Sequence, residues 1–230
     1  MKILILAAGK GVRLRPLTLK RPKPLIEING KPFLSYLLEN INEAGFRDIG
    51  VVVNYKKEMI IDFLKENGIE AEIIPQPKLL GTGNAILCAE KWANGEEFVV
   101  VNGDCLYSSR DMAMLRKKDG LNYVVATFHN NPERYGVIIE KDGMLERIVE
   151  KPRVFVGNKI NTGLYKFTKD IFDALRKIRV SERGEYEVTD AINILCKDRR
   201  VKVVNIIDYW LELGKISDIK VLEKVLKELK

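Results

Sequence analysis

Short apolar runs alternate with amphipathic stretches along the first half of the chain. Ile3, Leu4, Ile5 and Leu6 form a continuous apolar run, the pattern of a strand buried on both faces. Ile49–Val53 and Phe98–Val101 repeat that pattern, and Glu72–Ile74 is a shorter version of it. Between them, Glu58–Glu66 sets Ile60, Ile61 and Leu64 at helical spacing, and Ala85–Trp92 and Asp111–Lys118 read as further helices. Strands alternating with helices predict an α/β fold with a mostly parallel sheet and helices on both faces.

From Tyr123 the pattern changes. Tyr123–Thr127, Gly136–Glu140 and Leu145–Val149 are closely spaced strands, and Asp142-Gly143 reads as the hairpin turn between the last two. The sheet is therefore expected to be mixed, with a more antiparallel second lobe. No linker of Ser, Gly or Pro separates the halves, so residues 1–230 read as one domain. Near the end, Ile219, Leu222, Leu226 and Leu229 recur at helical spacing, a face expected to pack on the core.

Composition narrows the class. At 230 residues, with 46% hydrophobic and 31% charged positions, the chain is an ordinary globular one. No apolar run reaches the length of a membrane span, and no leader pattern precedes the first strand. The three cysteines are widely spaced, which suggests neither a disulfide framework nor a zinc site. A cytoplasmic location without a membrane partner is expected. The net charge of +7 could attract nucleic acid or small phosphorylated molecules. Cations interleave with acids, as in Lys56-Lys57-Glu58, the usual pattern of a solvated face, and no nucleic-acid-binding motif is found. No nucleic-acid partner is expected.

The richest chemistry follows the first strand. Leu6-Ala7-Ala8-Gly9-Lys10-Gly11 is made largely of small residues that let backbone approach a ligand, and Arg13 and Lys23 add fixed positive charge. A strand, a Gly-rich turn and two cations suit a polyphosphate. The spacing lacks the third glycine of the dinucleotide fingerprint and the Gly-Lys-Ser/Thr of a P-loop. Taken alone, Gly9-Lys10-Gly11 reads rather as a tight strand-to-loop turn. Taken with Pro22-Lys23-Pro24-Leu25, the string resembles the N-terminal signature of the sugar-1-phosphate nucleotidyltransferases.

That resemblance runs from Met1 to about Ile219 and implies a Rossmann-like nucleotidyltransferase domain. It implies that Leu6, Ala7, Ala8, Gly9 and Gly11 wrap a nucleoside triphosphate, that Arg13 contacts its phosphates, and that Lys23 sits beside the reacting phosphoryl group. Both cations are expected to face solvent in the free protein. The implied reaction is in-line attack of a sugar-1-phosphate oxygen on the α-phosphorus, with pyrophosphate leaving. The nucleophile is already an anion, so cations, backbone N–H groups and Mg²⁺ suffice and no general base is needed. This agrees with a chain whose single histidine, His129, has no nucleophilic partners and is expected to stay outside the chemistry.

Val99–Asp104 is an apolar strand ending in a carboxylate, where α/β sheets bind ligands. An aspartate there can also cap a turn. The resemblance makes Asp104 a Mg²⁺ ligand and implies a second, late carboxylate. Trp210-Leu211-Glu212-Leu213-Gly214 puts Glu212 at that position, one methylene longer than the usual Asp, with Asp208 as the alternative. Gln76, with Gly81 and Thr82, resembles the base-binding segment. Its amide offers an acceptor and a donor to N3–H and O4 of uracil or thymine, and Gly81 a backbone donor. Gly136, Glu150, Lys151, Asn161 and Thr162 resemble the sugar-phosphate site, Glu150 facing hydroxyls and Lys151 the phosphate. Glu185–Asp190 resembles a neighbouring segment without assignable roles. Val12 and Lys215 depart from hydroxyl residues common in the family, and neither removes a charged group.

The expectation is thus an enzyme with Arg13, Lys23 and Asp104 as its catalytic groups. It is expected to join UTP or dTTP to a sugar-1-phosphate, glucose-1-phosphate by family frequency. The alternatives are a GTP:mannose-1-phosphate guanylyltransferase and a non-catalytic sugar-nucleotide-binding regulatory subunit. Many relatives continue into a left-handed β-helical domain, which is not expected in these residues. Homo-oligomer formation stays open.

Overall fold

The computed structural model describes residues 1–229. Its strands are β1 (Lys2–Leu6), β2 (Glu27–Ile28), β3 (Lys31–Pro32), β4 (Asp48–Val53), β5 (Glu72–Pro75), β6 (Phe98–Asn102) and β7 (Cys105–Tyr107), followed by β8 (Asn122–Phe128), β9 (Gly136–Lys141), β10 (Met144–Glu150), β11 (Lys159–Phe167), β12 (Val201–Asn205) and β13 (Trp210–Glu212). The helices are α1 (Leu17–Lys20), α2 (Phe33–Glu43), α3 (Lys57–Glu66), α4 (Thr82–Leu87) and α5 (Glu90–Ala93), then α6 (Ser109–Ala113), α7 (Asp170–Leu175), α8 (Val188–Leu195) and α9 (Asp218–Glu228).

Nine strands form one sheet in the order β5-β4-β1-β6-β11-β8-β12-β10-β9. The first four run parallel, and β11 lies antiparallel to β6. Parallel pairing is therefore concentrated in the N-terminal half. Beyond it the sheet is antiparallel except that β12, which the pattern did not reveal, pairs parallel with β8. The β9–β10 hairpin turns through Asp142 and Gly143, both left-handed, as a two-residue turn of that hand requires.

Alternation along β1 explains the layers. Ile3 and Ile5 face Phe33, Leu37 and Ile41 of α2, while Leu4 faces the opposite layer with Ala85, Ile86 and Ile192. All three β1 residues are fully buried, as their unbroken apolar run requires.

Several helices differ from expectation. The stretch read as 85–92 starts three residues earlier and is broken into α4 and α5. The helix read as 111–118 is α6, which starts at Ser109 and stops at Ala113. In α3, Ile60 and Leu64 are buried, whereas Ile61, one residue round the helix, is only half-buried. In α9, Leu222 and Leu226 reach the core, and Leu229, just beyond the helix end, is exposed. No described helix is long and apolar enough to cross a membrane.

The carboxyl ends of the parallel strands converge. Ala7 donates to Val52 O at the end of β4, Gln76 to Val53 O, and Gly103 to Leu6 O, each at 2.9 Å. These bonds gather the segments after β1, β5 and β6 at one end of the sheet, where open α/β sheets bind ligands.

Candidate active site

Two cavities open at that end. The larger, about 520 Å³, is walled by Leu6, Ala7, Ala8, Gly9 and Gly11 with Lys23, Gln76 and Gly81. The smaller, about 230 Å³, is walled by Gly136, Glu150, Lys151, Asn161, Thr162 and Glu212. Thr82, Asn102, Asp104 and Glu185 border both, so the cavities meet at the end of β6. Arg13 borders the smaller cavity and not the larger one, on the side of Lys151 rather than the glycine loop.

The junction is an ion pair. Lys23 Nζ donates to Asp104 Oδ2 at 2.6 Å. Lys23 is 8% exposed, which corrects the expectation that it faces solvent. A short turn over Lys23–Leu25 aims it inward, and Asp104 is its partner there. Burial raises the Asp104 pKa, but the charge and hydrogen bond of Lys23 outweigh it and hold the carboxyl below its ordinary range.

The two candidates for the late carboxylate separate. Asp208 pairs with Arg110 at 2.9 Å and borders a different cavity, with Tyr36 and Tyr209. Glu212 lies opposite Cys105 in the β7–β13 ribbon, and Leu213 N–H donates to Asp104 O at 2.9 Å. Glu212 therefore shares a cavity with Asp104. Its Oε2 accepts from the Tyr135 hydroxyl at 2.9 Å. Burial, then the charge of Glu212, push that hydroxyl's pKa far up, so it remains a donor.

Gln76 is 3% exposed and its amide is already committed. Nε2 donates to Gly81 O at 3.1 Å and to Asn84 Oδ1 at 2.9 Å. The amide therefore has no N–H left for a base, which corrects the pairing drawn from the sequence. The Gln76 Oε1 and the Gly81 N–H have no partner among the described residues and remain as an acceptor and a donor.

In the smaller cavity, Glu150 accepts from Arg183 and from the Thr189 hydroxyl, each at 3.3 Å. Lys151 N–H donates to Tyr135 O at 3.0 Å, and burial followed by the nearby Arg183 charge lower its ammonium pKa. Asn161 donates to the Tyr165 hydroxyl and accepts from Gly163 N–H at 3.0 Å. The Thr162 hydroxyl is buried and donates to Val125 O at 2.8 Å, so its proton is committed within the sheet. A β-bulge between Asn161 and Tyr165 passes through Gly163 at φ +80°, where a Cβ would lie 2.0 Å from Asn102 Nδ2. Only glycine lets β11 approach the end of β6 so closely.

Sequence reasoning missed three contributors. Arg183 pairs with Glu150 and, at 3.1 Å, with Glu187, and only a glycine separates it from the flagged Glu185–Asp190 segment. Arg134 borders the smaller cavity next to Tyr135. Asp111 is fully buried and accepts from Ile207 N–H at 2.6 Å and the Ser108 hydroxyl at 2.7 Å, anchoring the segment that leads into β13. The Ser108-x-x-Asp111 spacing at a helix start was its available signal. His129 borders neither cavity, and its ring lies 4.9 Å from that of Tyr135.

Comparison with known proteins places this geometry. A family model described as "Nucleotidyl transferase" matches residues 2–228. The chain is 40% identical over 228 residues to "Bifunctional protein GlmU" of Methanocaldococcus jannaschii, covering 98% of this chain and 54% of that protein. It is 41% identical over 219 residues to "Bifunctional sugar-1-phosphate nucleotidylyltransferase/acetyltransferase" of Sulfurisphaera tokodaii, covering 94% and 53%. The chain thus spans about half the length of these relatives. Its structure superimposes on a UDP-glucose pyrophosphorylase complexed with UDP-glucose with a TM-score of 0.88 and 25% identity, covering 100% of this chain and 99% of that one. A putative glucose-1-phosphate thymidylyltransferase from Bacillus anthracis shares the fold with a TM-score of 0.89 at 23% identity, covering 100% and 96%. With the family model matched across nearly its whole length and a site assembled from the segments that first suggested it, the chain belongs to the nucleotidyl transferase family.

Proposed function

We propose that the protein transfers a nucleotidyl group from a nucleoside triphosphate to a sugar-1-phosphate, releasing pyrophosphate. The carrying observation is the Lys23–Asp104 pair at the meeting point of two cavities of different character. The larger cavity has a backbone-lined loop at one end. At the other end it has the Oε1 of Gln76 together with the N–H of Gly81, so it suits a triphosphate and its base. The smaller has Glu150 for hydroxyls and Lys151 for a phosphate. In this reading the sugar phosphate attacks the α-phosphorus in line. Lys23 leaves Asp104 for the phosphate oxygens, and Lys151 holds the attacking group. Holding two anions in place and offsetting their charge supplies the catalysis.

Asp104 and Glu212 fit a divalent cation such as Mg²⁺. They are hard oxygen donors in one cavity, and the described residues contain no group of three His, Cys, Asp or Glu that would form an all-protein metal cage. Mg²⁺ is ordinarily held by one or two carboxylates, with substrate phosphates and water completing its shell. When bound, the ion would neutralise phosphate charge.

For the base we infer UTP or dTTP, with N3–H donating to Gln76 Oε1 and O4 accepting from Gly81 N–H. The likeness to a structure holding UDP-glucose supports this, and glucose-1-phosphate is the corresponding sugar. A second reading, GTP with mannose-1-phosphate, has its own support. The chain is 35% identical to "Mannose-1-phosphate guanyltransferase 2" of Candida glabrata, and guanine N1–H and O6 present the same donor and acceptor order. Pyrophosphate release with four triphosphates against several sugar-1-phosphates decides. The expected result is highest efficiency with UTP or dTTP. Preference for GTP establishes the second reading, and no release with any pair, with sugar-nucleotide binding still measurable, favours a regulatory binding protein instead.

A further inference from the structure

Glu212 differs from a shorter aspartate by one rotatable bond. A free glutamate at this position would lose more side-chain entropy on fixing its carboxylate than an aspartate would. Three observations show how this chain restrains it. Tyr135 donates its hydroxyl to Glu212 Oε2 at 2.9 Å. The Tyr135 ring is itself wedged, edge to face, 5.5 Å from Trp210 and 4.9 Å from His129. On the opposite side, Gly214 leaves room for the carboxyl, since a Cβ there would stand 3.2 Å from Glu212 Cδ and Oε1. Oε1 has no hydrogen-bond partner among the described residues, and Glu212 borders the cavity that Asp104 also borders. The main chain of Tyr135 meanwhile accepts the Lys151 N–H at 3.0 Å.

We propose that Tyr135 is a positioning residue, fixing Glu212 so that Oε1 is presented to a divalent cation while its carbonyl fixes Lys151 from the same point. The inference rests on the proposed function. It makes Tyr135 the link between the second lobe, where β9 begins at Gly136, and the carboxylate carried by β13. A carboxylate that binds a metal through one oxygen is commonly held by a hydrogen bond to the other, and losing such a partner typically weakens metal affinity about tenfold to a hundredfold.

The test uses Tyr135→Phe, which keeps the ring and the carbonyl and removes only the hydroxyl. Mn²⁺ binding is followed by electron paramagnetic resonance with the α,β-methylene analogue of the triphosphate that the substrate panel selects. The variant should bind Mn²⁺ about tenfold more weakly, with unchanged thermal unfolding and a sugar-1-phosphate KM within about twofold of wild type, because Lys151 remains tied to the carbonyl. In a Glu212→Asp background the shorter side chain does not reach Tyr135, so Tyr135→Phe should add no further loss. Unchanged Mn²⁺ affinity in Tyr135→Phe, or an equal loss in the Glu212→Asp background, overturns the proposal while leaving the proposed function standing. A wild-type protein that binds no Mn²⁺ with any triphosphate analogue overturns both.

Discussion

Two buried lysines flank the same strand and do different work. Lys166 lies beside the start of β6, paired with Glu97 at 3.0 Å and Asp119 at 2.6 Å. It also donates to the Lys117 carbonyl and packs over the Tyr123 ring, and it is fully buried. Lys23 lies beyond the other end of β6, paired among the described residues with Asp104 alone, and borders a cavity of about 520 Å³. Both obey the rule that a buried charge needs a counter-charge. Lys166 has its ammonium surrounded by protein partners, so it is a staple. Lys23 keeps donor capacity facing open space, so its ion pair can be exchanged for a ligand. The separating criterion is therefore saturation, since burial and pairing are common to both.

The contrast breaks most visibly at the staple. Lys166→Met should lower the unfolding free energy by about 3 kcal/mol, because it leaves Glu97 and Asp119 without their cation. Urea denaturation measures this, and nucleotide binding by the folded fraction should not change. A loss below about 1 kcal/mol would place Lys166 among dispensable pairs. Lys23→Ala should show the reverse, with turnover down at least about a hundredfold, or ~2.7 kcal/mol in the barrier, and a stability loss smaller than that of Lys166→Met, because the Asp104 side chain left behind is 34% exposed and can be solvated. Equal damage to stability and turnover would erase the distinction.

Two smaller effects sharpen it. Arg13→Ala should raise the sugar-1-phosphate KM about tenfold and leave the triphosphate KM unchanged, since Arg13 borders only the smaller cavity. A change in the triphosphate KM would return Arg13 to the glycine loop's function. At the staple, burial raises the Asp119 pKa, but hydrogen bonds from Lys166 and Tyr123 outweigh it and bring it down to about 2. A depressed carboxyl pKa stabilises the fold above the unfolded value of about 4, and that contribution disappears as pH falls through the folded value. Wild type should therefore exceed Asp119→Asn in melting temperature at neutral pH, and the gap should close between about pH 4 and about pH 2. A gap that persists below that window would assign the effect to packing.

Much of this was legible in the chain because it is local. An apolar run followed by small residues identifies a parallel strand and the loop at its carboxyl end, and the segments from Leu6 to Gly11 and from Val99 to Asp104 need nothing further. What escaped depends on distant partners. The amide of Gln76 looked available until Gly81 O and Asn84 Oδ1 were seen to accept from it. Thr162 reads as a ligand-facing hydroxyl in a short motif, yet Val125 O takes it. Strand β12 was hidden because Lys202 interrupts its short apolar pattern, and only β8 beside it reveals the pairing. The choice between Asp208 and Glu212 turns on a three-residue ribbon whose register no local pattern encodes.

That ribbon also sets a timetable. Cys105–Tyr107 pairs with Trp210–Glu212, and Leu213 bonds to Asp104, so both contacts join segments far apart in the chain. Loop closure over such a separation is slow to be rewarded during folding, because the intervening lobe must be ordered first. Most of the triphosphate cavity is built from segments before β7, with Glu185 its one late wall, whereas the acidic pair that faces the second cavity comes into being only when the last strand docks. A refolding chain should regain its burial of β1 and β6 before it regains competence to bind a divalent cation, and the lag between those two signals is the time taken to close the ribbon.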